Sequence, residues 1–160
     1  MILILQDIRS LHNVGSIFRT ADAAGIKKIY LCGVTSAPVD RFGDPRPQVV
    51  KVSLGAEKSV PWEKVDKIED CIASLKESGF KIIAVEQHRN SIPYNNLKIS
   101  KTELSKTALL LGAEINGLKD PTLKLCDAII EIPMFGKKES LNVAVAFGIV
   151  AFRLSENKFN

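Results

Sequence analysis

Short apolar runs alternating with stretches of helical periodicity constrain this chain more than any other feature of its sequence. Ile2 to Leu5 is the first run. Val14, Ile17, Phe18 and Ala21 then recur on one helix face, and Gly25 stands where that helix must close. Ile29 to Cys32 predicts a second strand, and Lys81 to Val85, Ala108 to Leu111 and Ala128 to Ile132 predict further buried ones. A helix is expected from about Asp66 to Ser78, with Ile68, Cys71, Ile72 and Leu75 on one face and Gly79 as its stop. Val34 to Gln48 carries Pro38, Pro45 and Pro47 and reads as a loop. Asp120 and Pro121 suit the cap and first turn of a short helix, and the last helix, about Leu141 to Leu154, is apolar on nearly every face. This order predicts an α/β fold with a mainly parallel sheet flanked by helices. No repeat, low-complexity tract or internal boundary interrupts it, so residues 1–160 read as one domain.

Composition narrows the function classes. The chain is 46% hydrophobic and 25% charged, as an ordinary globule is, and 22 Lys+Arg against 18 Asp+Glu leave a formal charge of +4. That excess permits an anionic partner without requiring one. The three cysteines, Cys32, Cys71 and Cys126, lie far apart, which provides neither a metal frame nor a disulfide scaffold. The opening apolar run is too short for a signal peptide, and no run approaches the ~18 residues needed to cross a bilayer. The expectation is a cytoplasmic protein with no membrane partner and no metal.

Three segments carry polar residues that a bare scaffold does not need. In the first, Asp7 to Gly15, Asn13 lies beside a helix start and Arg19 one turn further in. The pair suits recognition of an anion or hydroxyl, or else Asn13 caps the helix and Arg19 is a solvated side chain. The second runs from Leu109 through Gly112, Glu114, Asn116 and Gly117 to Lys119. A P-loop needs Lys and then Ser or Thr directly after its second Gly, whereas Leu118 follows Gly117 and Asp120 follows Lys119, so nucleotide hydrolysis is disfavoured. A glycine turn after a buried strand still lets a ligand approach backbone amides, and Glu114 could instead cap the next segment. In the third, Ile132 to Asn142, Ser140 reads as the cap of the last helix, while Asn142 is a polar residue opening an apolar helix and needs a partner.

Taken in order, these segments resemble motifs 1, 2 and 3 of the SpoU (TrmH-type) RNA 2′-O-ribose methyltransferases of the SPOUT class. The residues concerned are Arg9-Ser10-Leu11-His12-Asn13-Val14-Gly15 with Arg19 to Gly25; Leu111-Gly112-Ala113-Glu114-Ile115-Asn116-Gly117-Leu118; and Ile132-Pro133-Met134 with Glu139-Ser140-Leu141-Asn142-Val143-Ala144-Val145-Ala146. Lys51 to Pro61 also resembles the stretch between motifs 1 and 2. Each motif alone is weak; the ordered trio, spanning nearly the whole chain, is specific.

The resemblance implies a sheet whose C-terminal part forms a deep trefoil knot around S-adenosylmethionine, with S-adenosylhomocysteine as product and no metal. It implies a cofactor pocket lined by Leu111, Gly112, Ile132, Met134, Ser140 and Leu141. It also implies a homodimer in which motif 1 of one subunit completes the other's site. Arg19 takes the role of base or of electrostatic and phosphate anchor; because a guanidinium base needs a large pKa depression, the anchor role is preferred. Asn13, Glu114, Ser140 and Asn142 would hold Arg19 and the ribose in place. The resemblance covers a catalytic domain with no appended RNA-binding domain, so Arg9, Arg41, Arg46, Lys51, Arg89, Lys137 and Lys138 become candidate phosphate contacts. The expected function is S-adenosylmethionine-dependent 2′-O-methylation of tRNA or rRNA. The alternative is an RNA-binding or assembly protein of the same fold without the activity.

Overall fold

A computed structural model describes residues 1–156. Seven strands form one sheet in the order β3-β2-β1-β6-β4-β7-β5. They are β1 (Ile2–Gln6), β2 (Ile29–Cys32), β3 (Trp62–Val65), β4 (Lys81–Val85), β5 (Ile92–Pro93), β6 (Thr107–Leu111) and β7 (Ala128–Glu131). Every neighbouring pair is parallel, with Leu3 opposite Ile29 and Leu109 at the centre and Ile83 opposite Ala128 further out. The helices, in chain order, are α1 (Leu11–Ala24), α2 (Pro47–Ser53), α3 (Ala56–Ser59), α4 (Ile68–Glu77), α5 (Lys101–Ser105), α6 (Asp120–Leu123) and α7 (Val143–Ser155).

The period-2 geometry of a strand explains why both sheet faces are covered. Leu3, Leu5, Ile83, Leu109 and Leu111 point to one face, where they meet Phe18 of α1 and Phe147 and Val150 of α7. Ile2, Ile4, Ile82, Ala84 and Leu110 point to the other and meet Cys71, Ile72 and Leu75 of α4 and Leu123 of α6. Phe18 and Phe147 are fully buried, each contributing roughly 1.5–3 kcal/mol through apolar area removed from water. Gly15 lets α2 approach α1: a Cβ there would stand 2.9 Å from the Val49 carbonyl oxygen.

The expected central strands and the parallel α/β class are present. The sequence pattern missed β3 and β5 because both are edge strands. In β3 only Trp62 and Val65 are partly buried, which leaves no apolar run to see, and β5 is two residues long. α2 and α3 are short pieces within or after the proline-bearing stretch. Two cap assignments shift. Ser140 does not cap the last helix; that helix starts at Val143, and Asn142 caps it, its Oδ1 accepting from the Ala144 N–H at 2.9 Å. Likewise Asp120 and Pro121 lie inside α6, and Lys119 occupies its cap position. Gly25 closes α1 with φ 69°, as its position predicted.

Candidate active site

Because the strands are parallel, their C-terminal ends share one edge of the sheet. In such folds ligands bind past those ends, where neighbouring connections diverge. At this edge, residues following β4, β6 and β7 surround a cleft of about 280 Å³ together with Asn13 and the start of α7. A shallower extension continues from it past Gly136, Lys137 and Lys138.

One hydrogen-bonded chain joins the three segments across the cleft. Glu114, in the loop after β6, accepts from the side-chain Nδ2 of Asn13 at 3.1 Å and from the backbone N–H groups of Ser10 at 3.2 Å and Arg9 at 3.5 Å. Asn13 Oδ1 in turn accepts from Asn142 Nδ2 at 3.0 Å. Ser10 is the side-chain cap of α1, accepting from the Asn13 N–H at 3.2 Å. Burial pushes the Glu114 carboxyl pKa up, but its own backbone amide, Asn13, Ser10 and Arg9 all donate to the ionised form, and the net result is a lowered pKa. Asn13 therefore does not cap α1, a role that Ser10 takes, but links two loops from inside the helix's first turn, and Glu114 braces the N-terminus of α1 from outside rather than capping its own segment.

Two residues past β4 carry comparable structural weight and were not singled out by the motifs. Glu86 accepts from the Leu118 N–H at 2.7 Å, tying the loop after β6 to β4. Gln87 Nε2 donates to the Glu139 carbonyl at 2.7 Å, tying in the loop after β7. The signal for both was available: they are the first polar residues beyond a buried strand in a parallel sheet. Gly117 has φ +57°, and a Cβ on it would overlap the Glu86 carboxylate. Gly112 is hemmed in differently, since a Cβ there would stand 2.7 Å from Gly117 C and Leu118 N.

The structure gathers most of the predicted site residues. Leu111, Gly112, Ile132, Met134, Ser140 and Leu141 all line the cleft, as do Asn13, Glu114 and Asn142. Arg19 does not; it is exposed on α1. Arg9, Arg41, Lys51, Arg89, Lys137 and Lys138 are exposed, and Arg46 is half-buried with its Nε donating to the Val39 carbonyl at 3.1 Å. Among the described residues no group of three or more His, Cys, Asp or Glu side chains could hold a metal ion. No helix among them is long and apolar enough to cross a membrane.

Comparison with known proteins places these observations in a family. The SpoU rRNA Methylase family model matches residues 1–152. The 23S rRNA (guanosine-2′-O-)-methyltransferase RlmB of Neisseria meningitidis is 36% identical over 159 residues, covering 99% of this chain and 58% of the relative. An uncharacterized tRNA/rRNA methyltransferase of Archaeoglobus fulgidus is 32% identical, with 99% and 65% covered. This chain thus spans about three fifths of the length of the curated relatives it matches. Among solved structures, an AdoMet-bound rRNA methyltransferase from Sinorhizobium meliloti superposes with a TM-score of 0.84 at 31% identity, over 96% of this chain and 55% of that one. The A. aeolicus TrmH/SpoU tRNA modifying enzyme gives 0.83 at 27% identity, over 99% and 75%.

Proposed function

Since this chain belongs to the SpoU rRNA Methylase family, we propose that it methylates a ribose 2′-hydroxyl of rRNA or tRNA using S-adenosylmethionine, releasing S-adenosylhomocysteine. The observation that carries the reading is the Glu114–Asn13–Asn142 chain, which holds the three motif segments together around the cleft.

The residues present fit the cofactor. Leu111, Ile132, Met134 and Leu141 offer apolar walls, and Gly112 keeps the loop after β6 closed tightly enough for its backbone to form a wall. When bound, S-adenosylmethionine supplies an electrophilic methyl group on a sulfonium. What the protein must add is alignment, because in-line displacement rewards the correct placement of the attacking oxygen above all else. Asn13, Glu114, Ser140 and Asn142 position the ribose and the segments around it. Arg19 anchors phosphate and stabilises the developing negative charge on the 2′-oxygen, a role that its permanently charged guanidinium suits.

Residues 1–160 form the catalytic unit on this reading, and two of its features are architectural. The segment between β7 and α7 threads through the loop after β6 as a trefoil knot. In support, β7 pairs with β4 on the side of β6 away from β1, yet α7 packs back against α1, so the chain must cross over the intervening strands. The second feature is a homodimer that brings Arg19 to a partner's cleft. In support, Arg19 stands outside its own cleft, and α7 leaves Val145 51% and Phe152 49% exposed. The candidate phosphate contacts are Arg9, Arg41, Arg46 and Lys51, and the protein acts in the cytoplasm where such RNA resides.

Incubation with radiolabelled S-adenosylmethionine and unmodified total RNA, followed by mapping of ribose methylation, tests the reading. Label should enter RNA with the wild-type chain and fall at least a hundredfold with Arg19→Ala. Absence of calorimetric binding of S-adenosylmethionine would reject the enzyme in favour of an RNA-binding protein of the same fold.

A further inference from the structure

The segment after β2 forms a small closed hairpin whose tip has no part in the cleft. Val39 and Pro45 pair as an antiparallel bridge. Within it, the Asp40 N–H donates to the Asp44 carbonyl at 2.8 Å, and Asp40 Oδ1 accepts from the N–H groups of Phe42 at 2.8 Å and Asp44 at 3.0 Å. The Gly43 N–H donates to the Asp40 carbonyl at 3.1 Å, and Gly43 supplies the left-handed φ of +89° that the turn requires. Arg46 latches the base through its N–H to the Pro38 carbonyl at 2.8 Å and its Nε to the Val39 carbonyl. The hairpin holds Phe42 75% exposed at its tip, with the Arg41 guanidinium 4.6 Å from the ring centroid.

The hairpin is fixed relative to the site. The Ser36 N–H donates to the Ile8 carbonyl and Ser36 Oγ to the Arg9 carbonyl, each at 3.1 Å, and the Arg9 N–H is among the donors to Glu114. Two consecutive links, Ser36 to Arg9 and Arg9 to Glu114, therefore connect the segment leading into the hairpin to the cleft wall. The hairpin itself is electrically neutral, Asp40 and Asp44 balancing Arg41 and Arg46. Charge alone does not explain a ring presented in this way.

We propose that Phe42, backed by Arg41, is a stacking platform for an unpaired nucleobase of the RNA strand whose ribose is methylated. The assignment rests on the methyltransferase reading for the identity of the strand. Stacking on a phenylalanine face needs a base whose own face is free, which duplex RNA does not offer, and it tolerates any base because every base has a π-face. The ordered turn means that little conformational entropy is lost when the base lands, and the guanidinium at the ring leaves a donor fork for the adjacent phosphate. Phe42 thus selects for single-stranded context near the target rather than for sequence.

Fluorescence anisotropy with a fluorescein-labelled oligouridylate, and with the same strand fully paired, tests this on the full chain. Phe42→Ala should weaken single-strand binding by roughly 5- to 150-fold, the value of one base–aromatic stack, and leave the salt dependence unchanged. Phe42→Tyr should bind like wild type, and duplex affinity should be the same for all three. Arg41→Ala should weaken binding and reduce the salt slope by roughly one counterion. Wild-type affinity for Phe42→Ala would overturn the proposal, as would equal losses for single strand and duplex. So would a fall in the dimer mass measured by sedimentation, which would make Phe42 an interface residue. Calorimetric binding of S-adenosylmethionine to the same samples keeps the two readings separate. If wild type fails to bind the cofactor while Phe42→Ala still loses oligouridylate, the methyltransferase reading falls and the platform stands.

Discussion

Asn142 reaches across the cleft to donate its Nδ2 to Asn13 Oδ1 at 3.0 Å, although 129 residues separate the two in sequence. The orientation of both amides is dictated from the ends. Asn142 Oδ1 is held by the Ala144 N–H, so its nitrogen must face Asn13. The Glu114 carboxylate only accepts, so Asn13 must turn its own nitrogen there. Either end fixes the middle. Asn13→Asp removes the donor and sets a second carboxylate against Glu114, which makes it worse than Asn13→Ala. Urea unfolding at neutral pH should show Asn13→Ala destabilised by about 1–2 kcal/mol and Asn13→Asp by more. Acidification should shrink both losses relative to wild type, because it neutralises the Glu114 carboxylate that Asn13 serves, and should shrink the Asp variant's more, because it also removes the repulsion.

Glu114 makes its own pH prediction. Its carboxyl pKa lies below the ordinary value of 4.5, so it is raised on unfolding. A lowered folded pKa contributes stability that is fully present above the unfolded value and disappears as pH falls through the folded one. The difference in unfolding free energy between wild type and Glu114→Gln should therefore be level from neutral pH to about 4.5 and shrink below it. Because the side chain is partly solvated, the plateau should be modest, about 1 kcal/mol. A difference that grows on acidification would contradict the hydrogen-bonding arrangement around this carboxylate.

Space, not charge, governs Gly112. A methyl group there would press on Gly117 C and Leu118 N at 2.7 Å, backbone that Glu86 holds in place through the Leu118 N–H. Gly112→Ala should cost about 1–3 kcal/mol of stability and lower cofactor affinity at least tenfold. Gly136→Ala is the comparison, because a Cβ on Gly136 meets nothing within 4 Å. Thermal denaturation and calorimetry should find it within about 0.5 kcal/mol of wild type.

The sequence shows the parts of this fold whose signal is local and hides those that depend on contact. β2 and β4 are legible to the residue because each is a buried strand in the sheet interior. β3 is not legible, since its exposed Glu63 and Lys64 break the apolar run of an edge strand. At the site, Asn13, Glu114 and Asn142 stand out as polar residues beside helix starts and a glycine turn, but their joining is a tertiary fact that no spacing encodes. Glu86 and Gln87 look like ordinary polar residues after a strand. Only the return of two other loops to that strand end gives each its partner, Leu118 and Glu139. Ser140 illustrates the opposite error. Its type suits a helix cap, but Asn142 lies nearer the helical run and takes the role.

Arg19 supplies the sharpest test of assembly. It is exposed and lies outside its own subunit's cleft, whereas Asn142 lines that cleft. If a partner's Arg19 completes each site, a chain carrying Arg19→Ala and a chain carrying Asn142→Ala are defective in complementary halves. Each homodimer alone should be inactive. After subunit exchange of an equal mixture, half of the dimers are mixed, and each mixed dimer pairs one intact cleft with one intact arginine. Activity should therefore return to about one quarter of the wild-type level per site, as two-fold symmetry requires. Methyl transfer to RNA, measured before and after exchange under mild denaturant, reads this directly. If exchange proceeds and no activity returns, Arg19 serves its own subunit's cleft and the composite site is wrong.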